Sequence, residues 1–361
     1  MRVLAAVGSR PDVIRVAPLT PAMRHANIEF DIILAAAPAA AYLAERGPTL
    51  FGVPIQEPCH IIGQTADGAS LGVGPALVGI EAVLRSEAPD AMLVIGDSNA
   101  AVAAAIAAAR KGIPVVHLDA GLRCGDPSIP DEINRVVISR VSALHLTPTE
   151  RALENLEDEG VEPERIQFVG SIAAECALRA LDDVKDIRPY EQFGFTTKEY
   201  VVAAIRRREN LSSALRLRGI LEGLERFPLP VLLPDAEALL DAANEHGLTL
   251  GASLRPADAL PYGEMLACVR DAAAVTTDCG SLSEEACTAA VPCITVRHCT
   301  EYEATVRYGA NQLVRADRDA LCAALLDVTG RPGTWVLPKR WDRAVSDRTV
   351  RALKRGVTPL A

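Results

Sequence analysis

Short apolar runs recur along the chain, separated by longer stretches whose apolar positions return at helical spacing. The runs at 3–7, 30–35, 93–95, 115–118, 144–147 and 166–169 have the length and β-branched content of buried strands. Between them, the spacing predicts helices over 12–24, from 36 through 45, over 76–86, over 100–110 and from 149 onward. The same alternation resumes with strands at 200–205, 230–233, 272–276 and 293–297, a weaker one at 248–250, and helices over 212–226, 260–271, 317–328 and 341–355. Strands alternating with helices predict the α/β class, with doubly wound parallel sheets. The polar stretch 181–199 breaks the pattern and is read as an interdomain linker. The Gly-rich polar stretch 61–75 is read as a mobile loop able to close over a ligand, or as a plain connector.

The richest chemistry falls in residues 94–135, which read as strand, turn, helix, strand, then a polar loop entering another helix. Asp97 and Asp119 both stand at carboxyl ends of predicted strands, the edge where parallel sheets bind ligands. Glu132 and Arg135 follow one helical turn apart, after a loop holding Arg123 and Asp126. Carboxylates and arginines gathered there suit a polar pocket for a charged substrate. The plain alternative for Asp97 is that it caps the next helix. The first strand meets Gly8-Ser9-Arg10-Pro11 and then a helix containing Arg15, an arrangement that favours anions, although such a turn also occurs with merely solvated arginines. In the second half, Thr277 to Ala286 reads TDCGSLSEEA, with Cys279, Gly280 and Ser281 leading into a helix expected from about Ser283. Its free backbone N–H groups would face phosphate oxygens, and Glu285 in the first turn would accept from sugar hydroxyls or simply favour the helix dipole.

Composition narrows the field. A chain of 361 residues, 49% hydrophobic and 23% charged, suits about two soluble domains. Only 4% of residues are aromatic, so alanine, valine, leucine and isoleucine must fill the core. A net charge of −10 argues against a general nucleic-acid binder, which needs a basic surface. The apolar runs near the start and the alanine-rich stretches are too short for a signal or a membrane span, so a cytoplasmic protein without membrane partners is expected. Nine cysteines carry no metal-ligand spacing, so neither disulfides, a metal nor another cofactor is expected.

The segments GSRPDVIRVAPL, GDSNA, HLDAGLRCGD, PDEINR, RRREN, TDCGSLSEEA and RHCTE follow one another in an order and spacing that resembles the UDP-N-acetylglucosamine 2-epimerases over nearly the whole chain. The resemblance implies the GT-B architecture, two Rossmann-like domains with parallel sheets facing a central cleft. It places an N-terminal domain at 1–180 on the sugar and acceptor side, a nucleotide-diphosphate-binding domain at 181–340, and a C-terminal helix at 341–361 crossing back to the first domain. It also implies a homodimer. In that family the bond from sugar C1 to the UDP oxygen breaks with loss of the C2 proton, leaving a glucal and UDP. UDP is then added back after proton return on the other face, or water is added in the hydrolysing branch. Carried over by motif, Arg10 contacts phosphate and Arg15 stands where lysine is usual. Asp97 and Glu132 match acidic active-site residues, Gly280 and Glu285 match nucleotide-binding positions, and Arg135, Cys279 and Ser281 join the candidate phosphate contacts.

Several positions depart from the family pattern. The glutamate of HxEAGLR is Asp119, and the histidine opening HRREN is Arg206. A Gln-His pair is replaced near Ala37-Pro38, and the PxH segment reads Pro234-Asp235-Ala236. Cys279 and Ser281 replace a serine and a glycine of TDSGG, and TERPE reads Thr300-Glu301-Tyr302-Glu303-Ala304. Shortening glutamate to aspartate moves a carboxylate by about 1 Å, enough to weaken proton abstraction at C2. Arg206 is a fixed cation suited to a diphosphate leaving group. Retained C1–O cleavage with weakened C2 chemistry predicts substitution at C1. The catalytic set is then Asp97, Asp119, Glu132 and Arg206 in a nucleotide-sugar-dependent glycosyltransferase with a small-molecule acceptor, fitted to antibiotic assembly such as the sulfur glycosylation of lincosamides. The alternative is a 2-epimerase, non-hydrolysing or hydrolysing. The third reading is an inactive nucleotide-sugar-binding protein, against which the strand-end acid pair argues.

Overall fold

A computed structural model describes residues 1–35, 49–50, 53–54, 60–62, 71–330 and 333–357. The helix expected from 36 to 45, the Ala37-Pro38 departure and most of the Gly-rich 61–75 stretch lie outside the described residues. By contacts the chain forms two compact units, one of Met1–Cys176 with Lys339–Ala361 and one of Ala177–Pro338.

The first unit is built on a parallel sheet of β1 (Arg2–Val7), β2 (Glu29–Leu34), β5 (His60–Ile61), β6 (Ala91–Ile95), β7 (Val115–Leu118), β8 (Leu144–Thr147) and β9 (Ile166–Phe168), in the order β5-β2-β1-β6-β7-β8-β9. A short antiparallel pair, β3 (Thr49–Leu50) and β4 (Val53–Pro54), stands apart from it. Alternation along β1 feeds two cores, with Val3, Ala5 and Val7 on one face and Leu4 and Ala6 on the other. Both faces are therefore covered, as a parallel sheet requires. The helix Asn99–Arg110 buries Ala100, Ala101, Ala103, Ala104, Ala105, Ala107 and Ala108. Their small volume lets the helix Val73–Ser86 pack closely against it. The helix expected over 12–24 is two helices, Arg10–Val16 and Leu19–His25, with Pro18 at the start of the second. Proline offers no N–H to continue the first.

The second unit carries a parallel sheet of β10 (Val201–Ala204), β11 (Val231–Pro234), β12 (Leu254–Ala257), β13 (Ala274–Thr277), β14 (Cys293–Thr295) and β15 (Asn311–Leu313), ordered β12-β11-β10-β13-β14-β15. The strand expected at 248–250 is replaced by β12, an edge strand in which Pro256 sits without disrupting a two-sided ladder. The 181–199 segment is packed within the second unit rather than left as a linker. Tyr190 and Phe195 stack on Tyr200 with ring centroids 5.3 and 5.0 Å away. The Arg270 guanidinium donates to the carbonyl oxygens of Val184 and Ile187. Both units are thus α/β and Rossmann-like. No helix among the described residues is long and apolar enough to cross a membrane.

The chain's last helix, Val345–Lys354, completes the first unit, burying Val345, Val350 and Leu353 in its core. Fully buried Glu175 accepts from the Ser346 N–H and hydroxyl at 2.7 Å each. Removing that acceptor strands a buried donor, which costs about 1–3 kcal/mol. Glu175→Ala is expected to lower stability by that amount in urea denaturation, and an unchanged midpoint would show that the helix is held by its apolar face alone.

Candidate active site

In the first unit, three strand ends bring the acids together. β1 runs into Gly8-Ser9, and Ser9 caps the helix Arg10–Val16 by accepting from the Asp12 N–H. Arg10 opens that helix half-buried, and Arg15 in its last turn is buried. β6 ends at Gly96, in the left-handed region with φ 64°. A Cβ there would stand 3.0 Å from Arg15 Nη1, so the turn admits Arg15 against the backbone. Asp97 follows, its side chain 31% exposed, and Ser98 caps the helix Asn99–Arg110 by accepting from the Ala101 N–H. Ser98, not Asp97, therefore takes the capping role. β7 ends at Asp119, also left-handed at φ 64°, where aspartate is among the residues that tolerate it. Arg15 Nη1 lies 3.6 Å from Asp119 Oδ2.

The helix Pro130–Val141 faces these turns. Glu132 accepts from the N–H groups of Cys124 (3.1 Å) and Gly125 (2.9 Å) and from Arg135 Nε (2.8 Å). Burial pushes its carboxyl up, but Arg135 and those N–H groups outweigh it and hold it below the ordinary range. Arg135 Nη1 pairs with Asp97 Oδ2. Asn134 donates to the Asp97 carbonyl oxygen at 2.9 Å. His117 Nε2 stands 2.8 Å from the Gly96 carbonyl. A carbonyl only accepts, so Nε2 carries the proton. Burial drives the His117 imidazole down to about 4, keeping it neutral at physiological pH.

Two sequence candidates are engaged with partners within the unit. Arg135 was a candidate phosphate contact, yet its guanidinium lies buried between Glu132 and Asp97. Glu132 was a candidate acid or base, yet both its oxygens are occupied by donors. Arg123 is drawn off to Glu159, with Nε and Nη2 at 2.8 and 2.9 Å from its carboxylate.

In the second unit, the centre is Asp278, fully buried at the end of β13. Its carboxylate accepts from the Arg206 and Arg207 N–H groups (2.9 and 3.0 Å) and from Asn210 Nδ2 (2.8 Å). Burial raises its pKa, against those donors. Arg207 Nε donates to the Asp278 carbonyl oxygen, and its Nη2 lies 3.4 Å from Glu301. Buried Arg297 pairs with the other Glu301 oxygen at 2.8 Å. Arg206, read as a cation for a leaving group, places Nη1 2.6 Å from Asp235 Oδ2. Arg206, a departure from the family pattern, thus pairs with the neighbour of Ala236, the alanine at the histidine position of PxH.

The helix expected near Ser283 begins at Gly280, with Cys279 in the capping position but offering no side-chain cap bond. Ser281 is then in the first turn, and Glu285 falls in the second, beyond the turn where a carboxylate best meets the helix dipole. Cys279 Sγ lies 3.3 Å from Ser281 Oγ. A Cβ on Gly280 would meet the Tyr302 ring at 2.0 Å, so only glycine fits between helix and ring. Asp12, Asn134, His117, Asp278 and Glu301 escaped the sequence reading. Each is a polar residue at or beside a strand end or within a quoted motif, and only tertiary contact shows its partner.

The family model described as UDP-N-acetylglucosamine 2-epimerase matches residues 22–344. The UDP-N-acetylglucosamine 2-epimerase of Methanocaldococcus jannaschii is 30% identical over 99% of this chain and 100% of its own. This chain belongs to the UDP-N-acetylglucosamine 2-epimerase family. Another relative, the UDP-2,3-diacetamido-2,3-dideoxy-D-glucuronate 2-epimerase of Pseudomonas aeruginosa, is 30% identical over 89% of this chain and 90% of its own. The crystal structure of the M. jannaschii enzyme in complex with UDP-GlcNAc and UDP superposes with a TM-score of 0.88 at 30% identity, covering 99% and 100% of the two chains. The Neisseria meningitidis enzyme, 21% identical, shares the fold at a TM-score of 0.85 over 99% and 100%. The family thus carries nucleotide-sugar enzymes, and this member keeps the two Rossmann-like domains of the GT-B 2-epimerases.

Within this family member, Arg135 is the cation on which buried Glu132 depends. Breaking such a pair by removing one partner costs about 3–5 kcal/mol. Arg135→Met is expected to lose that much stability at neutral pH. Because Glu132 is held below its ordinary range in the folded chain, its contribution is present above that range and is lost as pH falls through the folded value. The deficit of Arg135→Met should therefore shrink on acidification, and a deficit constant from pH 7 to pH 3 (roughly one unit below the ordinary carboxylate value) would exclude Glu132 as its cause.

Proposed function

We propose that this protein is a 2-epimerase of a UDP-linked 2-acetamido sugar. The observation that carries the reading is the held acid constellation of the first unit. Asp97 presents a partly exposed carboxylate whose backbone is held by Asn134 and whose side chain is held by Arg135, with His117 fixing the preceding Gly96 carbonyl. A binding protein has no need of a carboxylate so restrained, whereas proton abstraction from carbon depends on such placement. The M. jannaschii and P. aeruginosa relatives, both named as 2-epimerases of UDP-sugars, support the same chemistry.

In this proposal Asp97 takes the C2 proton as the C1–O bond to UDP breaks, and UDP leaves with the bonding electrons. The glycal left behind takes a proton from solvent at C2 on the other face, UDP returns to C1, and Asp97 gives its proton up to solvent. Each unit by itself offers donors suited to a diphosphate: the start of the helix Gly280–Thr288 in the second, and half-buried Arg10 at the start of its helix in the first. Glu285 serves the ribose. No metal or other cofactor enters the proposed reaction.

Substitution at C1, as in a glycosyltransferase, is the second reading. The burial of Asp119 favours it, since a carboxyl withdrawn from solvent reaches C2 less readily. The pairing of Arg206 with Asp235 speaks against it, because the cation that was to assist the leaving group is already neutralised. Incubation with UDP-GlcNAc in heavy water, followed by NMR, separates the two. Epimerisation predicts UDP-ManNAc with deuterium at C2. UDP release that requires an added acceptor, with no deuterium at C2, would replace the epimerase reading with the transferase one.

A further inference from the structure

We infer that Asp119 holds a proton in the resting protein and works as a neutral, buried positioning residue for Arg15, leaving Asp97 as the carboxylate that meets substrate. The inference deepens the proposed epimerase function and rests on it for the role of Asp97, but not for the protonation of Asp119.

Three buried groups carry the argument. Asp12, Arg15 and Asp119 are 3%, 6% and 4% exposed. Two carboxyl groups therefore share the neighbourhood of one guanidinium, away from solvent. With both ionised the cluster would hold an uncompensated buried charge, which is costly enough that a group takes up a proton instead. The hydrogen bonds say which one does. Asp12 accepts the Gly8 N–H at 3.0 Å, a bond that favours its ionised form. Neither oxygen of Asp119 accepts a hydrogen bond from the described residues, and Arg15 approaches no nearer than 3.6 Å. Burial raises the Asp119 pKa most; of the charged groups facing it, both from the helix Arg10–Val16, Arg15 lowers it and Asp12 raises it.

The same geometry keeps Asp119 from acting on substrate directly, since both oxygens are closed to solvent. What it touches is Arg15, and Arg15 lies against Gly96, the residue before Asp97. Asp119 thus acts through Arg15 on the turn that carries Asp97. Asp97, with a 31% exposed side chain, is the accessible carboxylate.

Infrared spectroscopy of the full chain tests the protonation without any turnover. At neutral pH the wild-type-minus-Asp119→Asn difference spectrum is expected to contain the C=O stretch of a protonated carboxyl. Its absence would overturn the inference whether or not the protein is an epimerase. Asp12→Asn provides an independent variant should Asp119→Asn fold poorly, and in it the band should titrate at lower pH than in the wild type. A band unmoved by Asp12→Asn would overturn the sharing of Arg15. With UDP-GlcNAc as substrate, Asp119→Asn should keep turnover within about tenfold and leave the acid limb of the pH profile in place. Asp119→Ala should fall about a hundredfold for want of a partner for Arg15, and Asp97→Asn should fall further. Loss in Asp119→Asn as deep as in Asp97→Asn would make Asp119 the reacting group instead.

Discussion

A guanidinium enclosed by two carboxylates organises the first unit. Arg135 belongs to the helix Pro130–Val141, Glu132 to the same helix one turn earlier, and Asp97 to the turn after β6. Buried at 2% exposure, Arg135 keeps its charge regardless, so losing either partner would leave that charge uncompensated. The 124–125 backbone is tied in through Glu132, and the Asp97 backbone through Asn134. One helix thereby fixes two loops. Ion pairs of this kind add little net stability compared with apolar packing, but they define geometry, because no other arrangement satisfies the buried charge.

The second unit solves the same problem with the opposite charge at its centre. There a carboxylate, Asp278, gathers backbone N–H groups of 206–207 and the Asn210 amide. Arg207 then bridges from the Asp278 backbone to Glu301, which Arg297 holds from the other side. In both units the polar groups collect where parallel strands end. Parallel pairing sends every strand toward one edge, and the backbone groups freed there need partners. The chemistry of the site and the satisfaction of the sheet edge are served by the same residues.

Most strands could be read from the chain, because fully buried runs such as 91–95 and 201–204 contain nothing but apolar residues. The reading failed where the local signal was ambiguous. β12, with Arg255 and Pro256, looks nothing like a strand, and only its edge position makes that composition acceptable. The helix Gly280–Thr288 was placed three residues late because glycine and cysteine are poor markers of a helix start. The 181–199 segment looked like a linker because its three aromatic anchors are spread among charges. Site residues were legible as types but not as roles. Asp97 and Asp119 are equivalent on paper, both aspartates at strand ends. Burial and hydrogen bonding separate them, and neither is encoded in the neighbouring letters.

That separation bears on how the departures from the family pattern should be weighed. Counted singly, an aspartate for a glutamate and an arginine for a histidine suggest decay of C2 chemistry. In the folded chain each is compensated by a partner. The Arg206 guanidinium meets Asp235, next to Ala236 at the family's histidine position. Asp119 meets Arg15, which stands where the family usually has lysine. Arg206 and Asp235 are both partly exposed, so their pairing adds little stability, and a protonated Asp119 sets no second buried charge beside Arg15. Neither replacement disturbs the acidic turn at Gly96-Asp97, which keeps its full set of supports. The supports of that turn are what the proposed 2-epimerase chemistry draws on, and the departures leave them in place.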